Sequence, residues 1–516
     1  MEWMKKPWAP HATAVALFIA LSSVYFLPAF QGYMLRQGDI TQWFGMAKAI
    51  IDFRDFYGSE PLWTWSMFGG MPAYQISMVT YGNILIYFET LIRLVLDYPP
   101  LHFIVMMCSF YVLGLAMRIK PSLAAIGAIA FAFSSFFIIS IEAGHNSKIH
   151  AISYMPAILA GFVLVFRKHY VAGGVLTALA LSLQLGANHF QITYYTALLL
   201  TIFGIAEAFR LFKEKDLPHL GKSVGILAIA ALLALGSNAT RLLTTLEFSK
   251  STIRGSSELS ISAEGGSDML SKKGGLDPDY ITNWSLGLGE TWSLVFPNAK
   301  GGATGRLANY DVAMREVSSQ YKQYIAQNNA YWGDQPFTAG PVYVGALICL
   351  LFFLGLFTVK SYLKWPILAI TALSIMLAWG RNLMWFTQLF IDYFPMYNKF
   401  RSVTMMLAVA ELTIPLMAVL FLKELTTEKG FWAENKKKIF TVSGVFVGML
   451  IVFVVSPTGF FDFITAQESA QFQSQMNSNP QASSQITAVL GELENARVAM
   501  FKSDVMRSIG LIIVGL

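Results

Sequence analysis

The side chains best suited to chemistry fall where the hydrophobic stretches of this sequence end. Asp39, in Gly38-Asp39-Ile40-Thr41-Gln42-Trp43, comes a few residues after the first such stretch. A carboxylate at the mouth of a membrane face suits work on a substrate held by a lipid. It could act as a general base, orient a substrate hydroxyl or hold a metal. The plain alternative is a loop residue or the N-cap of a helix starting at Ile40, because Asp is a favoured cap. A second group is Glu142-Ala143-Gly144-His145-Asn146-Ser147-Lys148-Ile149-His150. Lys148 and the imidazoles there could contact phosphate, or His145 could shuttle a proton; an ordinary polar turn is the alternative. His189, in Gly186-Ala187-Asn188-His189-Phe190-Gln191, has the same character and is a candidate partner of the second group or a capping histidine.

A fourth group is spread more widely: Asp277-Pro278-Asp279-Tyr280, Trp284-Ser285 to Glu290, Phe296-Pro297-Asn298, Tyr331-Trp332-Gly333-Asp334 and Asn398-Lys399-Phe400-Arg401. Trp284 with Glu290 and Asp334 fits sugar binding, in which rings stack on C–H faces and carboxylates take hydroxyls. Trp and Tyr also gather at membrane interfaces because they are amphipathic. Lys399 and Arg401 suit a lipid phosphate or neighbouring headgroups. No H-e-x-x-H-like or C-x-x-C-like spacing is present, so no metal ligands are assigned. A divalent metal among Asp39, Glu142, His145 and His189 stays open, and no other cofactor is called for. Gly302-Ala303-Thr304-Gly305 lacks the Lys-Ser/Thr ending of a phosphate-binding loop, and no G-x-S-x-G elbow stands out.

The elements that must position these residues are membrane spans. The chain of 516 residues is 55% hydrophobic and 13% charged, with a mean hydropathy of +0.52; soluble domains carry about 25% charged residues. A bilayer is therefore its expected solvent. Hydrophobic spans are read near 11–30, 101–118, 122–141, 151–166, 171–187, 191–209, 221–237, 341–359, 365–379, 403–422 and 439–456, with another beginning near 508. The fold class is an all-α polytopic membrane protein with about 11–12 transmembrane helices, its outer loops carrying amphipathic helices and a small mixed subdomain. Residues 81–97 are apolar but contain Glu89 and Arg93, and read as interfacial or re-entrant. Cys108 and Cys349 lie in hydrophobic runs, which argues against a structural disulfide.

The net charge of +6 arises at span ends rather than in a nucleic-acid-binding patch, so no nucleic-acid partner is expected. With Lys5 and Lys6 in the cytoplasm, alternate short loops carry Arg118/Lys120, Arg167/Lys168, Arg210/Lys213/Lys215, Lys360/Lys364 and Lys423/Lys429/Lys436/Lys437/Lys438. That pattern follows the positive-inside rule. The first span reads as an uncleaved anchor.

The organisation is an N-terminal membrane module (1–237) with its first outer loop (31–100), a large outer loop (238–340), a second membrane module (341–456) and an outer loop (457–506). The start of a further span follows (507–516), and the natural chain is expected to continue. In the first loop, Gln42 to Phe53 is amphipathic, and Trp63 to Pro72 is an aromatic-rich turn. In the last loop the Gln/Ser-rich part, Gln467 to Gln485, is expected to be flexible, and Ile486 to Met506 helical.

A long anchor, an outer Asp soon after it, an amphipathic first loop and many spans resemble the GT-C superfamily of membrane glycosyltransferases. More narrowly, the chain is similar to the bacterial YfhO-like family. The stretches that carry this are Gly38-Asp39, Gly69-Gly70-Met71-Pro72, His145-Asn146 to Pro156, Trp284-Ser285 with Glu290, Phe296-Pro297-Asn298, Tyr331 to Phe337, and Tyr397-Asn398-Lys399-Phe400-Arg401-Ser402. Each is short, and their order along the chain is the stronger sign.

The resemblance implies transfer of a sugar from a polyprenyl-phosphate carrier to an acceptor outside the bacterial cytoplasmic membrane. Asp39 would be the catalytic base or orienting group, with Glu142 and His145 in the place of a second acidic pair. Lys148, Lys399 or Arg401 would hold phosphate, and the 238–340 loop the acceptor. A transporter or flippase of a lipid-linked glycan, and a non-catalytic envelope assembly factor, are the alternatives.

Overall fold

The computed structural model describes residues 6–93, 96–256 and 274–516. Lys5, the two residues 94–95 of the 81–97 stretch, and 257–273 of the large loop lie outside them. The chain is 72% helical. Among the described residues its single ladder is the antiparallel pair Trp63–Thr64 and Met71–Pro72, in register Trp63 to Pro72 and Thr64 to Met71. The fold is therefore all-α. Five helices are long and apolar enough to cross a membrane: Asn146–Phe166, Phe190–Glu214, Leu217–Ser237, Val403–Thr427 and Phe431–Val455. The number rises to 7 if each of two bent pairs counts as one span, and four shorter apolar helices accompany them: Ala9–Tyr25, Pro100–Ala116, Tyr170–Gly186 and Ala346–Thr358. Such helices make the chain a multi-pass membrane protein.

The helices form two compact units. The first comprises 1–133, 137–277 and 395–400. Its centre is helix Asn146–Phe166, buried along almost its whole length. Tyr170–Gly186 and Pro100–Ala116 pack on it. Small residues let the backbones approach: a Cβ on Gly161 would come within 2.8 Å of the Thr177 backbone nitrogen, and one on Gly114 within 2.7 Å of the Ala124 Cβ. Where lipid is as apolar as leucine, this close packing replaces the hydrophobic drive between helices. Among the described residues, the 81–97 stretch contributes the nine-residue helix Leu85–Arg93, shorter than a span needs.

The second unit comprises 134–136, 278–394 and 401–516. Helix Leu407–Thr427 lies at its centre, with Ala346–Thr358 and Lys364–Ala378 against it. The expected span at 365–379 ends in a 112° bend into Gly380–Tyr393. Gly380 (φ +49) makes the corner, and a Cβ there would fall on the Ser285 hydroxyl.

The last loop differs most from expectation. The Gln/Ser-rich segment is a helix, Ala466–Ser478, started by a reciprocal capping box between Thr465 and Glu468. It is held by Arg497, fully buried, which makes two 2.7 Å bonds to the Glu468 carboxylate and donates to the Phe463 and Asn329 carbonyls. Arg497 belongs to Ser483–Gly515, one continuous 33-residue helix covering both the expected loop helix and the expected last span. Through Asn329 and the Asp504–Asn298 bond it ties the 457–506 segment to the 278–340 segment.

Candidate functional site

Asp39 owes its position to two short-range devices. Gln37 is the N-cap residue of helix Gly38–Tyr57, so the helix begins before Ile40 and Asp39 lies in its first turn instead of capping it. The Gln37 amide donates to the Ile141 carbonyl and to Asn146 Oδ1 (3.0 Å), and Asn146 Nδ2 returns a bond to Gln37 Oε1 (3.3 Å). This clasp fixes the start of one helix against the N-terminus of Asn146–Phe166. The second device is Gly144, which ends helix Ser135–Ala143 at φ +96. A Cβ there would lie 3.1 Å from Asp39 Cβ and 3.1 Å from the Ile40 nitrogen. Glycine is thus what lets Asp39 lie over this turn.

Three groups then stand in line. Lys148 Nζ donates to His145 Nδ1 at 2.8 Å, and His145 Nε2 lies 3.1 Å from Asp39 Oδ2. An ammonium on one ring nitrogen fixes the tautomer, leaving Nε2–H to donate to the carboxylate. The His145 side chain is 44% exposed and that of Asp39 57% exposed, whereas Lys148 is buried. His145 is held below its usual range, at about 4, by burial first and then by the Lys148 charge, with Asp39 pulling the other way. A neutral imidazole is what the two bonds require. Lys148 sits in the first turn of its helix, where the backbone dipole is positive; a buried cation there favours anions nearby.

His189 borders the same cluster. It too is pushed down to about 4, by burial and then by the Lys148 charge. Its Nδ1 is buried without a hydrogen-bond partner among the described residues. Glu142 does not join the line; it faces a groove of about 760 Å3 whose wall includes Tyr25, Phe30, Tyr33 and Ile138, with Gln37 and Glu142 among its polar members. Gln37 and Ile40, on either side of Asp39, both line it. The groove has room for a long apolar ligand beside the Glu142 carboxylate; Asp39, His145 and Lys148 are not among its lining residues.

The remaining sequence candidates are placed otherwise. Glu290 is buried and accepts from Tyr331 Oη (2.6 Å), the Gly287 nitrogen (2.7 Å) and the Asp334 nitrogen (3.2 Å). Burial raises its pKa against the lowering effect of those bonds. It holds its own loop together. Trp284 packs edge-on against Phe337, and Asp334 is exposed, its carbonyl taken by Arg381. Lys399 and Arg401 belong to different units: Lys399 donates to the Arg254 carbonyl (2.6 Å) while Arg254 Nε donates back to the Lys399 carbonyl (2.9 Å). Arg401 lies over the Tyr280 ring and donates to its hydroxyl.

Sequence reasoning missed Gln37, an uncharged residue outside any span, and the partners that gather around His150. There Glu89 accepts from the Tyr98 hydroxyl (3.0 Å), and His150 lies within 3.5 Å of Glu89 and 3.2 Å of the Tyr154 hydroxyl. Among the described residues no group of three or more His, Cys, Asp or Glu is arranged to hold a metal. The Asp39–His145 pair has the Lys148 ammonium as its next neighbour, which opposes a divalent cation. No family model, no curated protein and no solved structure matches the chain.

Proposed function

We propose that the chain is a membrane glycosyltransferase of the GT-C kind, similar to the YfhO-like family, working in the bacterial cytoplasmic membrane with its N-terminus in the cytoplasm. It moves a sugar from a polyprenyl-phosphate donor to an extracytoplasmic glycan, lipid or protein. The observation that carries this reading is the line Lys148–His145–Asp39, with Gln37 and Ile40, the residues that flank Asp39, in the wall of an apolar, aromatic groove. The groove suits the carrier's isoprenoid chain. Lys148, with the helix N-terminus behind it, suits the phosphate and offsets the charge that develops as it departs. His145 holds Asp39 Oδ2, leaving Oδ1 for the acceptor hydroxyl. The acceptor oxygen bonds to the anomeric carbon as the bond from that carbon to the phosphate oxygen breaks; the hydroxyl proton passes to Asp39, and polyprenyl phosphate leaves.

The test is transfer of radiolabelled sugar from a panel of polyprenyl-phosphate sugars by detergent-purified protein, with membrane extract as the acceptor source. Wild type should transfer from at least one donor, and a folded Asp39→Asn variant should lose about 10²–10⁴ of the rate, the usual contribution of a general base. No transfer from any donor by wild type removes the reading.

One observation favours a transporter or flippase of the same lipids instead. Glu411 is fully buried within a span, bonded to the Ser134 hydroxyl, and its Oε1 has no partner among the described residues. Ionisable groups at membrane depth mark transport pathways. Flipping of a fluorescent polyprenyl-phosphate glycan in liposomes that stops in Glu411→Gln would support that reading.

A further inference from the structure

The second unit contains a cleft unrelated to Asp39. It lies between helices Ala346–Thr358 and Phe431–Val455, has a volume of about 600 Å3 and is lined by Trp292, Phe353, Phe357, Val445 and Met449, with Lys437 and Lys438 at one rim. Its walls are set by contacts within the unit. Lys360 pairs with Glu434 at 2.8 Å and brings the two helix ends together. Phe353 and Phe446 meet midway, their ring centres 5.8 Å apart, and Trp292 closes the far end on Phe453 at 5.0 Å. From Lys437 to Met449 the helix climbs twelve residues, about 18 Å at the rise of an α-helix. That is the length of an acyl chain of ordinary size.

The two ends of the cleft differ in chemistry. The body is apolar, and both Phe357 (59% exposed) and Val445 (67% exposed) present their faces outward, as a lipid-facing surface does. Lys437 and Lys438 are exposed, and neither meets a carboxylate within ion-pair distance among the described residues. The neighbouring Lys360 and Glu434 satisfy each other, so the two lysines keep their charge for something outside the chain. Trp432, half exposed one turn before them, is the amphipathic residue expected at the headgroup level. Cations at the rim of an apolar cleft between spans are the arrangement that holds an anionic lipid headgroup over its chain.

We infer that this cleft binds an anionic phospholipid of the surrounding bilayer, with its phosphate at Lys437 and Lys438 and an acyl chain laid along Phe353, Phe446 and Trp292. The site does not depend on the transferase reading. It is a place where bilayer composition acts on the second unit, and the occupant is a two-chain phospholipid rather than the carrier lipid.

The test is native mass spectrometry of the full chain in detergent, titrated with phosphatidylglycerol, phosphatidylcholine and polyprenyl phosphate in turn. Wild type should retain phosphatidylglycerol roughly 30-fold better than phosphatidylcholine, as two interfacial lysines imply. Lys437→Gln/Lys438→Gln should abolish that preference, whereas Lys429→Gln, a control on the exposed turn before the helix, should keep it. Val445→Trp, which fills the cleft and leaves both lysines, should lower retention of phosphatidylglycerol. Equal retention of the two phospholipids by wild type, an unchanged preference in the double variant, or stronger retention of polyprenyl phosphate than of phosphatidylglycerol would each overturn the inference. Thermal unfolding of each variant at the wild-type temperature guards against misfolding.

Discussion

Gly144→Ala tests how the turn before helix Asn146–Phe166 sets the geometry of the proposed Asp39 site. Gly144 has φ +96, and an added Cβ would meet Asp39 Cβ at 3.1 Å, the Ile40 nitrogen at 3.1 Å and Gln37 Cβ at 3.2 Å. A left-handed backbone costs a non-glycine residue about 1–2 kcal/mol. Relieving the contacts moves the start of helix Gly38–Tyr57 by a few tenths of an ångström, or turns the peptide and stretches the Gln37–Asn146 clasp. A 1 Å misplacement in an active site can cost about 10²-fold, so a shift of this size should slow transfer roughly three- to tenfold. Single-turnover transfer, with donor binding measured separately, is the assay. The rate should fall while donor affinity changes little, because the groove keeps its apolar wall. A variant that transfers at the wild-type rate, whether or not it loses stability, would refute the argument that Gly144 positions Asp39.

Other perturbations separate structural roles from chemical ones. Glu290→Gln turns one oxygen of a buried acceptor into a donor facing N–H and O–H groups; the loss should be about 2–4 kcal/mol, visible as a lower unfolding temperature. Glu468→Ala strands the buried Arg497 guanidinium and should cost about 3–5 kcal/mol, again read by thermal unfolding. His145 and His189 are both held below their unfolded value of about 6.5, down to about 4. The unfolded chain therefore binds more protons between those pH values. Stability contributed by the neutral rings is complete above pH of about 6.5 and declines as pH falls through the window toward 4. The exposure of His145 discounts its share, and a His189→Gln variant should show the flatter acid limb in thermal unfolding against pH.

The polar ends of the spans were legible because ionisable residues stand out against apolar ones. Asp39, the His145–Lys148 turn and His189 are far apart in sequence, and the starts of the 38–57, 146–166 and 190–214 helices gather them. Gln37 gave no such signal: an uncharged amide in an exposed segment looks like any loop residue until its partner Asn146 is known. Glu290 shows a related limit. A carboxylate among Trp and Tyr suits sugar binding and a buried hydrogen-bond hub equally, and only the inward direction of its bonds separates them. Lys399 and Arg401 are two residues apart, yet the chain passes from one unit to the other between them. The Gln/Ser segment reads as flexible by composition, although Thr465 and Glu468 hold the spacing of a capping box. Its helix also depends on Arg497, which sequence distance hides. The single helix across 483–515 shows the same limit: the apolar signal rises near 508, but a backbone helix continues through polar residues that pack on Asn329 and Asn298.

The central claim is that Asp39 acts through its bond to His145 as one catalytic unit. A double-mutant cycle on sugar transfer tests it most directly, with Asp39→Asn, His145→Ala and the double variant compared at equal folded concentration. Groups that act together are strongly non-additive. The account predicts that the double variant is no slower than Asp39→Asn alone, at about 10²–10⁴ below wild type. Rate losses that multiply, or a fully active Asp39→Asn, would contradict it.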